Sequence, residues 1–171
     1  MYKMKDHIQL LTLIQWIKNQ YATGSRIIGG GRPNSDYDFV ATHADFCSFC
    51  DMAGFQREVN IKAEDIEEYA GDSKFLSFKY RLEQEHPWVN LIVVPDQVSL
   101  TCWINATVTL KECPPDIRFN SARRKMVFGW ILNAGYRYAG QSERATWPDP
   151  QSPEVNLSKH MELIYPESFN D

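Results

Sequence analysis

The sequence predicts an α/β (α+β) fold, a mixed β-sheet with helices packed on one side. Three observations point there. Apolar periods change along the chain in the order helix, strand, loop, strand, helix, hairpin, helices. Residues 75–82 alternate, residues 83–87 turn, and residues 88–94 return as a near-continuous apolar run, which describes a hairpin. The chain has 171 residues, 43% hydrophobic and 23% charged, enough for one domain with a substantial core.

Each element follows from its residues. Ile8, Leu10, Leu11, Ile14 and Ile17 recur at a helical period over 6–20, with Asp6 as the expected cap. The basic-then-apolar start resembles a leader, but Asp6, His7, Gln9 and Gln15 interrupt it and no small-residue cleavage site follows. No apolar run approaches the length of a membrane span, so a cytoplasmic protein with no membrane partner is expected. A short strand at 21–23 leads into a glycine-rich loop, then a strand over 36–42 and a helix over 43–53 that Gly54 stops. The acidic patch Glu64, Asp65, Glu67, Glu68 reads as a solvated helix face. After the hairpin comes a helix over 97–112, a break at Pro114-Pro115, and a helix that Ser121 caps and Gly135 ends. Met126, Val127, Trp130 and Ile131 are its core candidates. Residues 1–135 then form the domain. Residues 136–171, with Pro148, Pro150, Pro153 and Pro166, form an irregular tail on or beyond it, with a short helix near 156–164.

The chemistry concentrates in Gly24-Ser25-Arg26-Ile-Ile-Gly-Gly-Gly-Arg32-Pro-Asn-Ser-Asp36-Tyr-Asp38. Positions i and i+2 of a strand share a face, so Asp36 and Asp38 project together with Tyr37 opposite. Two adjacent carboxylates repel unless a cation lies between them, and Mg²⁺ (or Mn²⁺) suits all-oxygen ligation. Gly24 lets backbone approach a ligand closely, and Ser25 adds a hydroxyl donor. A phosphate-holding loop beside a carboxylate pair is equipment for phosphoryl or nucleotidyl transfer.

Gly-Ser, a short basic and glycine-rich connection, and Ser-Asp-x-Asp, in this order and spacing, resemble the signature of the DNA polymerase β-type nucleotidyltransferase superfamily. The likeness is to its minimal single-domain members and covers about residues 5–135. The stretch VNLIVVPD, with Trp103 and Ala106-Thr107 downstream, is similar to small nucleotidyltransferase-like proteins of tailed bacteriophages. The resemblance implies the polymerase β-type fold and an ATP- or other NTP-binding, magnesium-dependent transferase. Gly24, Ser25, Arg26 and Arg32 would meet the phosphates and Asp36 and Asp38 the metal. A third acidic residue is implied on a later strand. Asn90 stands there and has no carboxylate to act as a base. Glu83, Glu85, Asp96 and Tyr80 are poor substitutes, the glutamates lying in the hairpin turn and Asp96 on the surface.

Arg118, Arg123, Arg124 and Lys125 cluster at the start of the last helix, where they could meet a triphosphate or a nucleic acid. The formal net charge of −4 gives nucleic-acid binding no support in bulk. Cys47 and Cys50 form a C-x-x-C with no second half, so these and Cys102 and Cys113 read as free thiols; the four histidines have no metal spacing. Three functions stay open. One is transfer of a nucleoside monophosphate to a hydroxyl of a protein, tRNA or small molecule. Another is a catalytically weakened relative that binds a nucleotide or a protein partner, such as a phage factor acting on its host. The last is a nucleic-acid-binding module.

Overall fold

A computed structural model describes residues 4–54, 66–70 and 73–139. The elements are α1 (Met4–Ile17), β1 (Tyr21–Thr23), α2 (Ser25–Ile28), β2 (Tyr37–Thr42), α3 (His43–Ala53), β3 (Ile66–Ala70), β4 (Ser73–Tyr80), β5 (Val89–Val94), α4 (Gln97–Lys111), α5 (Pro115–Arg118) and α6 (Ser121–Tyr138). The five strands form one sheet in the order β1-β2-β5-β4-β3. Only the β2–β5 pair is parallel, so the sheet is mixed, and the β4–β5 hairpin pairs as the alternation predicts.

Alternation along the strands builds two cores, one on each face. Val40, Ile92 and Val94 join Phe75 and the helix residues Trp103, Phe128 and Leu132. Phe39, Ala41, Leu91 and Val93 join Leu13, Ile14, Ile17 and Phe46. Helices therefore cover both faces, which corrects the expectation of helices on one side. The physical reason is in β5, where all six residues are buried. A strand without a polar face must be covered twice.

Other differences are local. Helix α1 begins at Met4, so Asp6 lies inside it rather than capping it, and Ile8 and Leu11 are exposed. Ile66, Glu67 and Glu68 belong to β3, an edge strand, and not to a helix; Glu64 and Asp65 lie outside the described residues. Asp96 is the N-cap of α4, accepting from the Ser99 N–H at 2.7 Å. Asn120, not Ser121, caps α6 through the Arg123 N–H. Helix α6 has the expected period, and two of its four core candidates, Val127 and Ile131, pack partly buried against the core. Phe128, Leu132 and Tyr136 are buried, while Met126 and Trp130 are exposed. Gly135 does not stop α6; a Cβ there would stand 3.2 Å from Cys102 Sγ, so the glycine lets α6 approach α4 closely. The domain thus runs past residue 135, and the tail beyond 139, including the helix expected near 156–164, lies outside the described residues. Gly54 ends α3 in the left-handed conformation as expected. Val94 leads directly through Pro95 into Asp96, so α4 follows β5 at the strand end away from Asn90.

Candidate functional site

The sheet register assembles the site. Thr23, Asp38, Asn90 and Lys79 are cross-strand neighbours on β1, β2, β5 and β4. Cross-strand partners share a face, so these four polar side chains form one row across four strands. The row lies just beyond the apolar layer of Val40 and Ile92. Thr23 closes it at the helix side, its hydroxyl 2.7 Å from Thr107 Oγ1 of α4.

Asp38 and Asn90 meet directly, the adjacency that the resemblance implies. Asn90 Nδ2 donates to Asp38 Oδ1 at 2.8 Å. The Asn90 carbonyl accepts from Ser77 Oγ at 2.6 Å. Asn90 is 8% exposed, so the chain Ser77–Asn90–Asp38 is shielded from water and its direction is fixed. The amide oxygen is therefore spent on Ser77, and the amide presents protons, not lone pairs, to Asp38. Asn90 positions Asp38 and is not itself a metal ligand in this arrangement.

Asp36 precedes β2 and is half-buried. Lys79 Nζ contacts Asp36 Oδ2 at 2.9 Å. Asp36 Oδ1 and Asp38 Oδ2 accept no hydrogen bond among the described residues. Each carboxylate thus keeps one oxygen available. That donor set fits Mg²⁺, which takes one or two carboxylates and completes its shell with substrate phosphates and water. The pairing of Lys79 with Asp36 is part-exposed and yields to a stronger cation at modest cost.

Burial pushes the Asp38 carboxyl up from 3.8 to about 6. The Asn90 hydrogen bond opposes that shift, the Asp36 charge adds to it, and Lys79 and Arg26 counter it. Asp38 therefore holds its proton to higher pH when folded than when unfolded. Between about pH 4 and 6 the native state binds more protons, so stability falls as pH rises through that window and stays lower above it. Asp38→Asn should remove that slope and raise stability at pH 7 to 8. Urea unfolding from pH 4 to 8 measures this, and an unchanged slope in the variant would refute the assignment.

The glycine loop closes the site from the β1 side. Gly24 sits at φ +80°, and a Cβ there would overlap Asp38 Oδ2 at 2.1 Å. The backbone of Gly24 therefore packs directly on the carboxylate, as only glycine allows. Ser25 follows at the start of α2, and its hydroxyl makes no hydrogen bond among the described residues. An open groove of about 420 Å³ is lined by Ser25, Arg26, Gly29, Gly30, Gly31, Arg32 and Pro33. Of the expected phosphate residues Ser25, Arg26 and Arg32 line this groove and Gly24 packs on Asp38 instead, and Arg26 differs in its duty. Its Nε and Nη2 donate to the carbonyls of Ser35 and Pro33, and its guanidinium stacks on Tyr37 at 3.9 Å. Arg26 is the brace of the loop. Arg32 remains exposed on the groove rim.

The basic cluster divides in the same way. Arg124 Nη1 donates to the carbonyls of Arg118 and Gly29, and a Gly30 Cβ would stand 3.1 Å from it. Burial lowers the Arg124 pKa while the negative charge of Asp38 opposes that, so this guanidinium feels the carboxylate site. Its Nε and Nη2 make no hydrogen bond among the described residues. Arg118 donates to Ile28 O at 3.3 Å, and its buried Nε has no partner among the described residues. Arg123 turns instead to Asp116 at 3.5 Å on the surface, and Lys125 is exposed. Of the three expected contacts, Arg124 alone turns to the glycine loop among the described residues.

Sequence reasoning missed Ser77 and Lys79, which orient Asn90 and hold Asp36. Their signal was present: polar residues at alternate positions of the otherwise apolar β4, in phase with Asn90. The expected free thiols are observed at all four cysteines, and burial pushes the Cys102 thiol up to about 12, leaving it inert. Among the described residues, Glu83, Glu85 and His86 bring their ligand atoms within 4.8 Å of one another on the exposed β4–β5 turn. No described helix is long and apolar enough to cross a membrane. Comparisons with protein-family models, curated proteins and solved structures find no match.

Proposed function

We propose that the chain is a minimal member of the DNA polymerase β-type nucleotidyltransferase superfamily. Its site binds a nucleoside triphosphate, and its reaction moves a nucleoside monophosphate to a hydroxyl of a protein, tRNA or small molecule. The observation that carries this reading is the packing of Gly24 backbone on Asp38, which sets a glycine loop against a carboxylate pair. Ser25 offers a hydroxyl to the phosphates, and Arg124 offers its unpaired Nε and Nη2. Asp36 and Asp38 would hold Mg²⁺, which when bound neutralises phosphate charge and fixes the triphosphate in line. In the transfer the acceptor oxygen bonds to the α-phosphorus, the α–β bridging bond breaks, pyrophosphate leaves, and the acceptor proton must be taken up.

Asn90 cannot take that proton, and this favours a second reading. With its amide locked between Ser77 and Asp38, the chain would bind nucleotide or a protein partner with catalysis weakened. Incubation with each α-labelled NTP, Mg²⁺ or Mn²⁺ and a bacterial extract separates the two. Label transfer that Asp36→Asn abolishes supports the enzyme. Triphosphate binding without transfer supports the weakened form. Ser25→Ala is expected to weaken triphosphate binding several-fold in calorimetry, about 1 kcal/mol for one lost hydrogen bond. No heat from any NTP with the unmodified protein would remove the enzyme and leave only the partner-binding form of the second reading.

A further inference from the structure

The glycine loop and Arg124 flank the carboxylates from the β1 side. The opposite flank, toward β4, carries an exposed aromatic. Extending the β4–β5 register by one pair places Arg81 beside Trp88, and the Arg81 guanidinium lies over the indole at 4.0 Å. Trp88 remains in the β2–β5 ladder, its carbonyl accepting from the Tyr37 N–H at 2.9 Å. The same register sets Trp88 alongside Asp36. Arg81 follows Lys79 by two residues, and Lys79 itself holds Asp36. The pair therefore stands at the next step of the carboxylate row.

Two features separate this pair from ordinary packing. Trp88 is 36% exposed and belongs to neither core. Arg81 donates only to Gln84 O at 3.3 Å and has no carboxylate partner among the described residues. An exposed indole offers a flat π surface that any base can stack on, and an uncompensated arginine beside it offers charge to a phosphate.

We propose that Trp88 and Arg81 form a nucleobase-binding platform, Trp88 stacking the base and Arg81 meeting its phosphate. This rests on the nucleotide-binding reading of the neighbouring carboxylates. A base here comes from one of two sources, the bound nucleoside triphosphate or the terminal residue of a nucleic-acid acceptor. Calorimetry on the full chain with three probes distinguishes them: ATP with Mg²⁺, inorganic tripolyphosphate with Mg²⁺, and the trinucleotide ApApA. Trp88→Ala should weaken ATP or ApApA about tenfold or more, the usual worth of one base stack, and leave tripolyphosphate unchanged. Trp88→Phe should restore most of the loss, which also controls for folding. A loss confined to ATP assigns the base of the triphosphate; a loss confined to ApApA assigns an acceptor nucleotide. Trp88-dependent ApApA binding without any ATP or tripolyphosphate binding would sink the transferase reading and keep the platform. Unchanged affinity for ATP and ApApA, an equal loss for tripolyphosphate, or no binding of ATP or ApApA by the unmodified protein would overturn it.

Discussion

Asn90→Asp is expected to raise nucleotidyl transfer by about 10²–10⁴-fold, the usual worth of a positioned general base. The geometry makes the test clean. Asn90 is paired in register with Asp38, so the new carboxylate arrives beside Asp38 and Asp36 with little change in shape. Ser77 can still donate to one of its oxygens. The other oxygen would face Asp38 Oδ1 across the 2.8 Å now bridged by an amide proton. Without a cation that contact is repulsive. It should push the Asp38 carboxyl still higher than about 6 and destabilise the protein at neutral pH. Mg²⁺ should reverse the loss, because it binds the native state alone. Label transfer and thermal unfolding with and without Mg²⁺ read both effects. Since Asn90 does stand next to Asp38, absence of both gains would mean that the chain has left catalysis.

Gly24→Ala is expected to abolish triphosphate binding and to destabilise the fold by about 1–3 kcal/mol, the cost of a residue held in a sparsely populated backbone region. Two causes act together. Residue 24 is held at φ +80°, and the new Cβ overlaps Asp38 Oδ2. The sequence suggests that a larger side chain at this position would spare the fold and only remove clearance for phosphate. The structure corrects that, because the clearance is already taken by Asp38. A double-mutant cycle isolates the second cause. In an Asp38→Ala background the overlap with Oδ2 and Cγ is gone, and the cost of Gly24→Ala should shrink. Equal cost in both backgrounds would place the whole effect in the backbone.

Much of the site was legible because its parts are local. Asp36 and Asp38 are two residues apart, and Gly24 and Ser25 precede them on the same short segment, so strand alternation and turn chemistry suffice. The hairpin was legible for the same reason, its strands being separated only by a turn. The place of Asn90 beside Asp38 was implied by the family resemblance alone, since nothing local pairs residues 88–94 with 36–42.

The number of layers was legible only in part. The near-continuous apolar run of residues 88–94 is a local sign of a strand covered twice but says nothing of what covers it, and β3 carries acidic residues that read equally as a helix face. The phase of α6 was half legible: Val127 and Ile131 do pack on the core, but Met126 and Trp130 share the i, i+4 spacing of Phe128 and Leu132, and only docking on α4 selects between those stripes.

The sequence by itself determined a mixed sheet, a glycine loop and a carboxylate pair, each built from neighbours along the chain. The tertiary structure alone decided what those carboxylates meet. Lys79 comes from β4, and Ser77 from the same strand turns the Asn90 amide toward Asp38. Arg124 reaches the loop across 95 residues to Gly29, while Arg123 and Lys125 do not. Such partners are fixed by sheet register and helix docking, which long-range packing sets and local propensity does not.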